Sequence, residues 1–145
     1  MTEAGVKARP QIGVVIPVYN EADNIEGLVR RLVPVLERVA DSFVVVFIDD
    51  GSRDGTMEAL RRAHAADPRL TAVSFSRNFG KEIAIAAGLD HCEADAVVIM
   101  DADLQHPPET IEAFVAKWRE GYQNVYGQRT HRETESALRR MFARR

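Results

Sequence analysis

Apolar and polar positions along this chain follow two rhythms that alternate at short intervals. The runs "IGVVIPV" at Ile12 to Val18 and "SFVVVFIDD" at Ser42 to Asp50 are apolar and β-branched. Leu70 to Ser76 and Asp95 to Asp101 repeat the type. These predict four strands, mostly buried. Between and after them the pattern changes to helical spacing, over Asn24 to Ala40, Asp54 to Ala66, Lys81 to Cys92 and Pro107 to Glu120. In the first of these, Ile25, Leu28, Val29, Leu32 and Leu36 share one face. Pro34 interrupts that helix by removing a backbone donor, so a bend or an early end is expected there. Cys92 reads as a small core residue on the third helix.

Strands alternating with helices at this spacing imply βαβ units. The expected fold class is therefore α/β, a Rossmann-like, mostly parallel sheet with helices on both faces. Gln123 to Gly127 offers a fifth strand, and Thr130 to Arg145 reads as a basic, weakly amphipathic helix or tail. The division expected is a flexible segment over 1–11, a folded domain over 12–129 and the basic tail over 130–145.

Composition narrows the class. A length of 145 residues with 46% hydrophobic and 28% charged side chains describes about one soluble globular domain. A net charge of -3 argues against a general nucleic-acid surface. The longest apolar runs fall far short of the roughly 20 residues a membrane span needs. The opening "MTEAGVKARPQ" lacks the apolar core of a secretory signal, and the one cysteine has no internal partner. Both features lead to a cytoplasmic expectation.

In open parallel sheets ligands bind beyond the carboxyl ends of the strands, and the unusual residues of this chain cluster there. Strand one exits into "PVYNEADN", strand two into "DDGSRDGT", strand three into "SRNFGKE" and strand four into "DADLQHPP". Asp101 and Asp103 bracket a small residue, so an extended segment would point both carboxylates one way, toward a shared Mg²⁺ or Mn²⁺. Gln105 stands at the next alternate position and offers a carbonyl oxygen, with His106 a weaker candidate. The plainer alternative has Asp103 capping the helix that opens at Pro107, with Asp101 merely solvated.

Asp49 ends strand two, where it could accept a hydrogen bond from a heterocyclic ligand, while Asp54 is better read as a helix cap. Tyr19, Asn20 and Glu21 could stack on and bond to a base; alternatively Asn20 or Asp23 caps the helix and Tyr19 is ordinary core. Arg77 and Lys81 bring cations to the acidic edge, suiting phosphate or simple salt bridges. The convergence describes a nucleotide-diphosphate pocket. No G-x-G-x-x-G follows strand one, no G-x-x-x-x-G-K-[ST] occurs, and a receiver-type acidic pair would follow the first strand rather than the second.

The stretches "VVIPVYNEADNI", "FIDDGSRDGT", "RNFGKEIAIAAGLDHCEADAVVIMDADLQHPPE" and "GQRTHRE" together resemble glycosyltransferase family 2, the inverting GT-A enzymes. Within it they look most like the polyprenyl-phosphate group of dolichyl-phosphate mannose synthases and bactoprenol glucosyltransferases. The resemblance runs from about Ile12 to Glu133. It implies transfer of a hexose from a nucleotide diphosphate sugar, UDP favoured over GDP, to a polyprenyl phosphate at the cytoplasmic face of a membrane. Pro17, Tyr19, Glu21 and Asp49 match nucleoside-holding positions, and Lys81 joins the donor site. Asp101, Asp103 and Gln105 match the site of Mg²⁺ or Mn²⁺ and diphosphate. Asp103, Arg129 and Arg132 are the implied catalytic set, the arginines lying near the donor diphosphate and the acceptor phosphate. Family members continue past the segment that ends this chain, so a truncated donor-binding half is expected, with self-association through an unpaired sheet edge or the tail. The alternatives are a nucleotide-sugar-binding module without turnover and a family 2 transferase acting on a soluble sugar acceptor.

Overall fold

The computed structural model describes residues 10–103 and 107–124, with the short segments 128–129, 136–137 and 143–144. β1 (Gln11–Val18) lies parallel to β2 (Ser42–Asp49), in register from Gln11 opposite Ser42 to Val18 opposite Asp49. β3 (Leu70–Ser74) pairs with the outer side of β2, and β4 (Ala96–Ile99) with the outer side of β1. The order is β3-β2-β1-β4 and every pairing is parallel. The connections are α1 (Ala22–Val39), α2 (Thr56–Ala66) and α3 (Lys81–Asp90), and α4 (Thr110–Arg119) follows β4.

Strand periodicity divides the core in two. Ile12, Val14, Ile16 and Val18 of β1 pack with Leu28, Leu32 and Leu36 of α1, Leu60 of α2 and Ile111 and Val115 of α4. Side chains this deeply buried contribute roughly 1.5–3 kcal/mol each. On the opposite face Val15, Val46 and Ile48 meet Ala84 of α3. Here α3 lies very close to the sheet: a Cβ added at Gly88 would stand 2.3 Å from Val15 Cγ1. Beyond α3 this face thins, leaving Val97 38% and Ile99 46% exposed along β4. α1 and α4 are also joined by ion pairs, Arg31 with Glu109 at 3.1 Å and Arg38 with Glu112.

Four expectations are corrected. Pro34 does not shorten α1, which continues to Val39. It sits on the exposed side, where the carbonyl it leaves unpaired can reach water, while buried Leu32, Val35 and Leu36 hold the turn in place. The strand expected over Gln123 to Gly127 is present in its described part, β5 (Tyr122–Asn124), with 125–127 outside the described residues, but it pairs antiparallel with β8 (Ala143–Arg144) rather than with the main sheet. β6 (Gln128–Arg129) likewise pairs with β7 (Ser136–Ala137), so the described parts of the tail are short strands rather than helix. Cys92 lies past the end of α3, buried beside β1, where its sulfur fills the space left open by Gly13. Burial raises its thiol pKa.

Candidate functional site

The parallel register brings all four strand exits to one edge of the sheet. The exits of β1 and β2 are bonded to each other. Asn20, left-handed at φ 54°, donates its amide to Ser52 Oγ at 2.8 Å, and its Oδ1 accepts from the Arg53 amide at 2.9 Å. A short polar side chain tolerates that backbone, and both bonds cross between the loops. The Glu21 amide donates to Thr56 Oγ1 at 2.9 Å and the Ala22 amide to Asp54 Oδ2 at 3.3 Å. Asp54 Oδ1 accepts the Thr56 amide at 2.9 Å, so one carboxylate satisfies orphan donors at the start of both α1 and α2. The Thr56 hydroxyl, reinforced by the Thr56 and Ala22 amides, holds the Asp54 pKa below the ordinary carboxylate value. Its capping role is thus found, whereas Asn20 serves as a loop staple rather than a cap.

These loops wall a cleft of about 310 Å³ lined by Tyr19, Asp49, Ser52, Met57, Phe75 and Arg77, among others. Tyr19 is 45% exposed, so its ring face is available and it is not core. Asp49 is 2% exposed; its Oδ1 accepts the Ser52 amide at 3.0 Å. Arg77 stands over the Phe79 ring at 4.8 Å, and Phe79 meets Phe75 edge-on at 5.5 Å. Sequence reasoning placed Arg77 at this edge but gave no role in this wall to Ser52 or to Phe75 and its neighbours. The Gly51 that precedes Ser52 was the available signal, because its φ of +79° turns the chain toward that segment.

At the β4 exit the inward side chains Val98, Met100 and Ala102 are buried, while Ile99, Asp101 and Asp103 are more accessible. Both carboxylates are thus accessible just past β4, Asp103 within the turn that follows it. Asp101 Oδ1 pairs with Lys81 Nζ at 2.7 Å, the two side chains 41% and 59% exposed. Two accessible carboxylates form an all-oxygen donor set that fits a hard divalent cation. Among the described residues no third His, Cys, Asp or Glu completes a cluster with them. Gln105, His106 and Arg132 lie outside the described residues, and only the backbone of Arg129 is placed, in β6. Pro17 is half-buried within β1, beyond the last residue that pairs with β4, where its missing donor costs no ladder bond on that side. Glu21 turns back to Asn24, accepting its side-chain amide at 2.6 Å, and does not line the cleft.

The fold is thus an open α/β sheet covered on both faces, with acidic and aromatic residues gathered where such sheets bind their ligands. The family model for Glycosyl transferase family 2 matches residues 13–144, and the chain belongs to that family. It is 42% identical over 130 residues to the undecaprenyl-phosphate 4-deoxy-4-formamido-L-arabinose transferase of Pseudomonas syringae pv. syringae, covering 89% of this chain and 38% of that protein. The bactoprenol glucosyl transferase of Shigella phage SfV is 39% identical, with 92% and 43% covered. The chain thus spans about two-fifths of the length of these relatives. Among solved structures, the mannosyltransferase PcManGT from Pyrobaculum calidifontis, in complex with GDP-Man and Mn²⁺, superposes with a TM-score of 0.65 at 36% identity. That match covers 76% of this chain and 32% of PcManGT. Among the described residues no helix is long and apolar enough to cross a membrane.

Proposed function

We propose that this chain is the donor-binding half of an inverting hexosyltransferase that takes a nucleotide diphosphate sugar, UDP favoured over GDP, and delivers the sugar to a polyprenyl phosphate. The observation that carries the reading is the gathering at one sheet edge of the Tyr19–Asp49 cleft and the Lys81–Asp101 pair, with Asp103 two residues further along. Tyr19 offers a face for stacking and Asp49 an acceptor for a base N–H. Pro17 and Glu21 shape the loop beneath the nucleoside. Asp101, Asp103 and Gln105 would hold Mg²⁺ or Mn²⁺, which when bound supplies positive charge to a departing diphosphate. Lys81 stands ready to exchange its carboxylate for phosphate oxygens.

The acceptor phosphate is anionic at neutral pH and needs no base to become a nucleophile. Its oxygen forms the new bond to the anomeric carbon from the face opposite the diphosphate, and the bond to the diphosphate oxygen breaks with its electron pair. Arg129 and Arg132 are assigned to positioning that phosphate, a task suited to the guanidinium fork. The setting is the cytoplasmic face of a membrane, and self-association uses the β4 edge or the tail.

The test is incubation of labelled UDP-glucose or GDP-mannose with undecaprenyl phosphate in vesicles and Mn²⁺, beside direct donor binding. Label in the lipid, lost in Asp103→Asn, is the expected result. Donor binding without transfer supports the binding-module reading, transfer only to a soluble sugar supports the third, and absence of donor binding contradicts all of them. A concentration-independent monomer in sedimentation would remove the self-association.

A further inference from the structure

We infer that Asp50 is the positioning residue that couples the two parts of this site, fixing the 77–80 turn against β2 and thereby holding Lys81 in reach of Asp101. Asp50 immediately follows β2 and is 5% exposed. Its own amide donates to Val18 O at 2.9 Å, which ties its backbone to the end of β1. Its side chain points the bond chain elsewhere: Oδ1 accepts the Phe79 amide at 2.7 Å and Oδ2 the Gly80 amide at 3.1 Å. The neighbouring Gly51 continues the dock. A Cβ there would stand 2.4 Å from the Arg77 carbonyl carbon and 2.5 Å from the Asn78 nitrogen. Four consecutive residues, 77–80, are therefore seated on Asp50 and Gly51.

Gly80 has a φ of +104° and precedes α3, whose first residue is Lys81. The direction in which Lys81 leaves the turn is thus set by the fork that Asp50 provides. A carboxylate has two acceptor oxygens for the two amides, whereas an amide side chain has one. Asp50→Asn consequently keeps the shape of the residue but must leave one backbone N–H facing its NH₂ group. The Lys81–Asp101 pair is exposed enough that its own attraction holds it only weakly, so its geometry depends on the turn.

The Asp49 carboxylate is held by the Ser52 amide, and the Arg77–Asn78 part of the cleft wall packs on Gly51, which a change at Asp50 leaves in place. Loss of the fork should separate the two halves of the site. The ligand arm of the test rests on the proposed nucleotide function; the clamp itself does not. Uridine and UDP affinities with Mn²⁺ are compared by calorimetry for the natural chain, Asp50→Asn, Lys81→Met and the double variant. Hydrogen exchange of the Phe79 and Gly80 amides is followed without ligand.

Asp50→Asn is expected to keep uridine affinity within about threefold and lose about tenfold for UDP, with the double variant no worse than the larger single change. The two amides should exchange at least about tenfold faster than in the natural chain. Unchanged exchange, unchanged UDP affinity, or equal losses of uridine and UDP would overturn the proposal. If Asp50→Asn does not fold, Lys81→Met must still lose UDP selectively, and an unaffected Lys81→Met would overturn it. If the natural chain binds neither ligand, the proposed function fails while the exchange data still decide the clamp.

Discussion

At the β1 and β2 exits four hydrogen bonds cross between the two loops, and the carboxylate of Asp49 is buried and already bonded to Ser52. At the β4 exit, by contrast, Asp101 and Asp103 are accessible, and Asp101 is paired with a lysine that is itself mostly exposed. The first region is cross-bonded without any ligand, an arrangement that would lower the ordering cost of binding a flat, largely neutral group. The second keeps its charges hydrated and exchangeable, which suits a ligand that brings its own charge. Under the proposed function, one edge would divide recognition between a preformed cleft and an adaptable ionic group.

The largest way to break this contrast is Gly51→Ala. The residue must adopt φ +79° and its Cβ would meet the Arg77 and Asn78 backbone, so the preformed region should lose about 2–4 kcal/mol of stability in urea unfolding. Tyr19→Ala sharpens the contrast from the other direction. The ring is 45% exposed, so unfolding should shift by no more than about 0.5 kcal/mol, while nucleoside affinity falls about tenfold in calorimetry.

Acid should act on the stapled loops before it acts on the core. Asp54 has a folded pKa lowered by the Thr56 hydroxyl and by the Thr56 and Ala22 amides. Its stabilising contribution is therefore complete above the unfolded value near 3.9 and is lost as pH falls through the lower folded value. Asp54→Asn should flatten the urea midpoint against pH below about pH 4, with a residual slope from Asp67, which Arg69 holds low, and from Glu109, held low by its own backbone amide and by Arg31. The smallest effect belongs to Lys81→Met. Removing an exposed pair should change stability by less than about 0.5 kcal/mol in urea unfolding, while UDP affinity should fall in calorimetry.

Most of the scaffold is legible in the sequence because its signals are local. Apolar runs and helical spacing locate four strands and four helices, and the alternation alone implies a parallel sheet with the chemistry at its exits. The corrected features depend on tertiary context. Pro34 is tolerated because of which side of α1 faces water, and Tyr122–Asn124 pairs with residues near the chain end rather than with the sheet. The division of labour between Asp49 and Asp50 is also invisible in "DDGS". Both are buried at the end of one strand, and only the packing of the 77–80 turn assigns the second to the backbone and leaves the first in the cleft.

The central claim is that one sheet edge holds a nucleoside without a metal and a diphosphate with one. Calorimetric titration of the natural chain with uridine and with UDP, each in Mn²⁺ and in EDTA, tests it most directly. The account predicts equal uridine affinity in both buffers and UDP binding at least about tenfold tighter in Mn²⁺. UDP binding that is the same in Mn²⁺ and EDTA, or no binding of either ligand, would contradict it.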